Sequence, residues 1–384
     1  VSALKHLRIL DLSRVLAGPW ATQQLADMGA EVIKIEKPEG GDDTRGWGPP
    51  FLHDRAGQAT RESAYFICAN RGKKSVAIDM ATPEGQAQIR ALAKTCDVVV
   101  ENFKVGGLKK YGLDYASLKA LKPDLVYCSI TGFGQAGPRA EQAGYDFMIQ
   151  GLGGLMSITG APEGEPQKVG VAVTDLFTGM YATVGILAAL SHRDRTGEGQ
   201  HIDLALFDCQ LAMLANVASN YLVGGVQPPR YGNAHANIVP YQAFEASDGH
   251  VIVAVGNDSQ FARFAELCGY AEWATDARFA TNKARVMNRE ALVPLIRTAL
   301  KTQPRAHWIT AMESLGIPGG PINTIPEALD DPQALARGAV VDIPHPAGSV
   351  KMVANPIRFS VTPILYDTAP PMLGQHSAAY QEPV

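Results

Sequence analysis

Over its first 140 residues the chain alternates short apolar runs with helix-patterned segments, and this rhythm constrains the fold more than any other feature. Strands that alternate with helices point to parallel pairing through crossover connections. Leu7 to Leu12 reads as a strand, Pro19 to Met28 as a helix ended by Gly29, and Glu31 to Glu36 as a second strand. A second unit runs from Ser75–Asp79 to Asp97–Val100 through a helix with Thr82 as N-cap and Pro83 at its first position. Leu125 to Ile130 is a further strand. Open α/β sheets bind ligands beyond the carboxyl ends of their strands, so the chemistry is expected in those loops.

The remainder reads as an apolar Gly/Ala-rich stretch from Gly144 to Tyr221, with one helix from about Asp175 to His192 and another from Phe207 to Leu222. Gly224, Gly225, Pro228, Pro229 and Gly232 mark a linker. Beyond it, His250–Val255 reads as a strand and Asn288–Leu300 and Arg305–Leu315 as helices, with a second break at Pro321 to Pro326. Val340–Ile343 and Ile357–Ser360 read as strands in a tail that returns to pack on the first unit. The expected organisation is a large domain from residues 1–223 and 327–384 and a small one from residues 224–326.

Composition narrows the function classes. With 384 residues, 46% hydrophobic and 19% charged, the chain suits ordinary globular packing, and a net charge of -4 without a basic run excludes a nucleic-acid footprint. The five cysteines form no Cys-x-x-Cys pair, so neither a disulfide framework nor a zinc site is expected. The apolar stretch Met180–Leu190 falls short of the roughly 20 residues that span a bilayer. The expected setting is cytoplasmic, or an organelle matrix, with no membrane partner.

Three segments carry candidate chemistry. Ser13-Arg14-Val15-Leu16-Ala17-Gly18-Pro19 occupies the place of a dinucleotide fingerprint, with Glu36 ending the second strand, but the required Gly-x-Gly-x-x-Gly is missing. Nicotinamide binding, and with it a dehydrogenase, is disfavoured. Val100 to Tyr111 joins Gly106 and Gly107 to Lys104, Lys109 and Lys110 and to Phe103 and Tyr111, a composition that suits phosphate and a stacked base as well as a solvated loop. Asp175, in Val173-Thr174-Asp175-Leu176-Phe177-Thr178-Gly179, fits either an N-cap or an ionised, sheltered nucleophile. His235, in Gly232-Asn233-Ala234-His235-Ala236-Asn237, is the histidine in the most loop-like setting. No zinc-hydrolase or serine-hydrolase signature accompanies it.

In this order these segments, together with Val32 to Pro38, Gly41 to Arg45, Asp79 to Gly85, Ala143-Gly144-Tyr145-Asp146, Arg195 to Gln200 and Pro371 to His376, resemble the class III coenzyme A transferases nearly end to end. That family includes formyl-CoA transferase, carnitine CoA-transferase and the alpha-methylacyl-CoA racemases. The resemblance implies a Rossmann-like large domain whose parallel sheet is built from both chain ends, a smaller α+β domain, and an interlocked homodimer. It implies coenzyme A and acyl-CoA as substrates, with no prosthetic group.

The same resemblance puts the nucleophile at Asp175 and CoA contacts at Arg14, Val15, Leu16, Ala17, Lys37, Ile78, Asn102, Phe103, Lys110, Tyr111, Tyr145 and Asp146. Ala81 stands where formyl-CoA transferase has lysine, so the resemblance does not carry that one phosphate contact over. Racemases carry histidine where this chain has Tyr145, and a phenol of pKa about 10 is a poor carbon acid/base at neutral pH. Transferase is therefore favoured over racemase, and the intact Asp175 disfavours a non-catalytic CoA-binding protein. Ala234 to Asn237 and Pro240-Tyr241-Gln242 resemble members that use succinyl-CoA and dicarboxylic acids. Arg14, Arg45 and His235, with Ala236 and Asn237 beside it, are the candidates to hold the distal carboxylate.

Overall fold

The computed structural model describes residues 2–380, which divide into two compact units. The first comprises the described residues up to Gly154, Val169–Ala215 and those from Asp331 onward; the second comprises Leu155–Lys168 and Asn216–Asp330.

The first unit is built on six parallel strands: β1 (Arg8–Asp11), β2 (Glu31–Glu36), β3 (Lys73–Ala77), β4 (Val98–Glu101), β5 (Val126–Thr131) and β6 (His201–Ala205). Their spatial order is β3-β2-β1-β4-β5-β6. The order reverses between β1 and β4, and at such a switch point ligands bind in the crevice beyond the carboxyl ends of the strands. Both faces of the sheet are covered, which is why its strands read as apolar runs instead of alternating. Ile9, Val32, Val98, Val100, Val126 and Cys128 pack on one face with α1 (Ala17–Asp27), and Leu10, Ile33, Val76, Val99 and Tyr127 pack on the other with α2 (Pro83–Lys94). Each such fully buried aliphatic side chain stabilises the unit by about 1.5–3 kcal/mol.

Three further helices complete the region near β5: α3 (Asp146–Leu152), α4 (Val173–Thr196) and α5 (Leu206–Met213). The single helix read over Phe207–Leu222 is two, α5 and Ala215–Gly224, broken where Ala215 takes φ +42°. Helix α4, at 24 residues, extends well past the Met180–Leu190 stretch and reaches the length and hydropathy of a bilayer-crossing helix. One side of it, including Thr178, Ala182, Ile186 and Ala189, is buried.

The tail belongs to the first unit but adds no strand to its sheet, so the expected parallel sheet from both chain ends is corrected: every sheet strand lies within residues 8–205. Val340–His345 pairs instead with Gly348–Val353 in a separate antiparallel hairpin, and Ile357–Ser360 forms no strand. The tail is tied down by Asn355 Nδ2 donating to Gln24 and Asp27, and by the Ala77 N–H donating to Ser377 Oγ.

The second unit pairs Tyr241–Ala246, Gly249–Ala254 and Gly319–Pro321 antiparallel over a core of Phe244, Val251, Phe261, Phe264, Leu292 and Trp308. Its limits differ from the expected 224–326, and Leu155–Lys168, read as part of the large domain, groups with it. The Arg230 guanidinium holds that segment by donating to the carbonyls of Ala161, Pro162 and Gly164.

Candidate active site

Two cavities open at the β1/β4 crevice of the first unit. The smaller, about 170 Å³, is lined by Arg14, Val15, Leu16, Ala17, Asn102, Phe103, Lys104, Gly132, Gly144, Tyr145 and Asp175 among others. The larger, about 460 Å³, includes Arg14, Lys37, Ile78, Phe103, Lys104, Lys110 and Tyr111. Arg14, Phe103 and Lys104 border both. Residues spread from position 14 to 175 thus converge where the strand order predicts a ligand.

The loop after β1 is held from several sides. The Arg14 N–H donates to Asn102 Oδ1 at 2.9 Å, and Asn102 Nδ2 donates back to the Arg14 carbonyl at 2.6 Å, so the loops leaving β1 and β4 clasp each other. Val15 sits at φ +69°, a left-handed conformation that a β-branched residue rarely adopts. Such strain gathers at functional sites. The Arg14 guanidinium pairs with Asp43 at 2.8 Å and lies 5.2 Å from the centre of the Phe103 ring. Lys37 reaches the other oxygen of Asp43 at 3.2 Å, and the Lys110 ammonium lies over Tyr111 at 4.6 Å. The larger cavity therefore carries the cationic side chains of Arg14, Lys37, Lys104 and Lys110 and two aromatic rings, with the buried Lys34 behind them, a lining that suits a phosphorylated nucleotide. Ala81 is not among its lining residues.

Asp175 is the third residue of α4, and it is not the N-cap. That duty falls to Asp146, whose Oδ1 accepts the N–H of Thr174 at 2.8 Å and of Asp175 at 3.4 Å, while Gln150 Nε2 donates to its other oxygen at 2.7 Å. The approach is possible because Gly132, after β5, and Gly144 pack backbone to backbone; a Cβ on Gly132 would lie 2.6 Å from the Gly144 Cα. Asp175 is left half-buried, with its carboxylate uncapped. Burial first, and the Asp146 charge second, push its carboxyl up to about 7. The expectation of a fully ionised carboxylate at neutral pH is corrected accordingly: the group titrates there. Tyr65, which sequence reasoning missed, is pushed up to about 12 by burial first and by the Asp175 charge second.

Arg45 does not belong to this group. Its guanidinium is buried, paired with Glu36 at 2.7 Å and Glu62 at 2.7 Å, donates to the Pro371 carbonyl, and stacks 3.6 Å from the Phe66 ring centre. Its donors are committed to the fold, and it lines neither cavity.

His235, Ala236 and Asn237 lie in the second unit, in a well-held loop. Arg289 donates to the carbonyls of His235 and Ala236, Asn282 Nδ2 donates to that of Asn237, and the Asn237 N–H donates to His235 Nδ1 at 3.0 Å. In neutral His235 the proton therefore sits on Nε2.

The chain-wide pattern has relatives. The profile of CoA-transferase family III matches residues 4–377. A succinate–glutarate CoA-transferase of Agrobacterium fabrum is 53% identical over 98% of this chain and 94% of its own length. A human succinyl-CoA:glutarate CoA-transferase is 42% identical over 98% of this chain and 85% of its own length. Among solved structures, a CAIB/BAIF family protein from Brucella suis superposes with a TM-score of 0.86 at 53% identity, covering 98% of each chain. A doubly wound sheet with this crevice, matched over its whole length, defines an acyl-CoA enzyme. The chain belongs to CoA-transferase family III, and it is a CoA-transferase.

Proposed function

We propose that the protein moves coenzyme A from succinyl-CoA, or a close analogue, to a dicarboxylic acid such as glutarate, by covalent catalysis on Asp175. The observation that carries the reading is the uncapped, half-buried Asp175 carboxylate in a cavity that adjoins a cationic and aromatic one at the β1/β4 crevice. The similar proteins named for succinate and glutarate support the choice of acids.

In this mechanism the Asp175 carboxylate attacks the donor thioester carbonyl; the carbon–sulfur bond breaks and CoA leaves as thiolate, giving a mixed anhydride. The thiolate then attacks the aspartyl carbonyl, releasing the donor acid and leaving an aspartyl-CoA thioester. The acceptor carboxylate attacks that thioester and displaces the thiolate, which attacks the acceptor carbonyl and restores Asp175. Each step exchanges one acyl bond for another, so a positioned carboxylate and exclusion of water suffice. Lys37 and Lys110 take the phosphates, Phe103 or Tyr111 stacks on the base, and Arg14, which borders both cavities, holds the distal carboxylate of the acid.

A homodimer is part of the same reading. Phe177, Met180, Tyr181 and Val184 recur at helical spacing and form an exposed apolar stripe on one face of α4. A second copy is the occupant proposed for it, in a cytoplasmic setting.

The test is chromatographic: succinyl-CoA with glutarate should yield glutaryl-CoA and succinate, with monocarboxylate acceptors at least tenfold slower and Asp175→Ala inactive. Equal use of acetate and glutarate would remove the dicarboxylate reading, and activity in Asp175→Ala would remove the nucleophile.

A further inference from the structure

Beneath the loop that follows β1 lies a cluster to which the transfer steps give no role, although two of its members, Lys34 and Asp42, also border the larger cavity. Asp11, Lys34 and Lys73 are 0% exposed and Asp42 is 1% exposed. Lys34 Nζ donates to Asp42 at 2.9 Å and to the Ser13 carbonyl at 2.9 Å. Lys73 Nζ donates to Asp11 at 3.1 Å, to Asn70 Oδ1 at 2.9 Å and to the Pro19 carbonyl at 2.9 Å. The two ammonium groups therefore grip the two ends of one segment, Ser13 and Pro19. Its middle is gripped as well: Asp42 Oδ1 accepts the Val15 N–H at 3.3 Å, and it also caps Thr44.

Three facts make this more than a stabilising feature. Burying four charges costs desolvation that an apolar cluster of the same volume would avoid, so such a network is weak evidence for stability and better evidence for holding one conformation. The segment it holds contains Val15 at φ +69°, a conformation that persists only where the surroundings over-determine it. Arg14 to Ala17, gripped between the two lysines, form one wall of the cavity that contains Asp175. The contacts run to backbone atoms, so the network sets where that wall stands and not what its side chains are.

We infer that Lys34 and Lys73 are positioning residues for the transfer reaction: with Asp11 and Asp42 they clamp the Ser13–Pro19 segment so that the acyl group lies in line with the Asp175 carboxylate. The inference rests on the reading of Asp175 as nucleophile and adds a cause for its geometry. A clamp of this kind acts on the rate at saturating donor, because a small misplacement of reacting atoms costs far more in rate than in binding.

The test compares wild type with Lys34→Met, Lys73→Met and Asp42→Asn, the last an isostere that keeps an acceptor for Val15 but loses the charge facing Lys34. For each, the melting curve, the KM for succinyl-CoA and the single-turnover rate of covalent adduct formation are measured, with amide exchange over residues 14–17. The clamp predicts an adduct rate at least tenfold lower, KM within about threefold of wild type, and exchange at least tenfold faster across the segment. A folded lysine variant with wild-type adduct rate and exchange overturns it. Should both lysine variants fail to fold, Asp42→Asn decides by the same two readouts, wild-type values again overturning the clamp. If wild-type protein itself forms no adduct, the nucleophile reading is what fails, and the exchange comparison alone decides whether the network holds the segment.

Discussion

Asp146 caps the helix of Asp175: its Oδ1 accepts the Asp175 N–H at 3.4 Å and that of Thr174 at 2.8 Å. One carboxylate thus takes the free N–H groups at the start of α4, and the next stays free to react. The arrangement also sets two negative charges close together, which is part of why the Asp175 carboxyl is pushed up to about 7.

The pH dependence follows from that shift. Attack requires the carboxylate, so kcat/KM for the donor thioester should fall about tenfold per unit below about pH 7. Asp146→Asn keeps a capping oxygen and loses the repelling charge, so its acid limb should move to lower pH. A pH–rate profile of the two proteins checks this; coincident limbs would show that Asp146 does not act on Asp175 through its charge.

Stability should carry the opposite mark of the same group. An acid whose folded pKa is raised contributes stability that is fully present below its unfolded value, near 3.8, and is lost as pH rises through about 7. Asp175→Asn should therefore match wild type at pH 4 and melt higher at pH 8. Melting curves at the two pH values measure it, and an equal midpoint at pH 8 would contradict the buried-charge account.

Arg45 and Arg14 should separate cleanly on mutation. Arg45→Met leaves Glu36 and Glu62 buried without their cation, a loss of about 3–5 kcal/mol for a broken buried pair. Arg14→Met leaves only the half-exposed Asp43 and should melt within about 1 kcal/mol of wild type. Its KM for succinyl-CoA should rise about tenfold, which titration and steady-state kinetics together will show.

The exposed stripe on α4 predicts association. Tyr181→Lys or Val184→Glu places a charge in the middle of Phe177, Met180, Tyr181 and Val184 and should convert a dimer to monomer in sedimentation velocity. Unchanged sedimentation would place the dimer contact elsewhere.

How far the sequence carried these conclusions depends on the kind of contact involved. Five of the six parallel strands are legible because both faces of the sheet are buried and leave largely apolar stretches between helix-patterned segments; β6, His201–Ala205, is not, because His and Asp interrupt its short run at the sheet edge. Ile357–Ser360 shows the converse, since a strand-like composition without a neighbour to pair with forms none. Asp175 was recognisable from its segment, but its cap comes from Asp146, 29 positions earlier, and no local spacing encodes that. Arg45 was misassigned for the same reason: a cation reads alike whether it faces a substrate or Glu36 and Glu62. Lys34 and Lys73 sit inside strands, where nothing in the sequence says that their ammonium groups turn inward to carbonyls of another loop.

The central claim is the covalent role of Asp175, and the most direct measurement is peptide mass spectrometry after incubation with succinyl-CoA and quenching with hydroxylamine. The account predicts a hydroxamate on the peptide carrying Asp175, absent from an Asp175→Ala control. An unmodified Asp175 peptide from protein that is turning over succinyl-CoA and glutarate would contradict it.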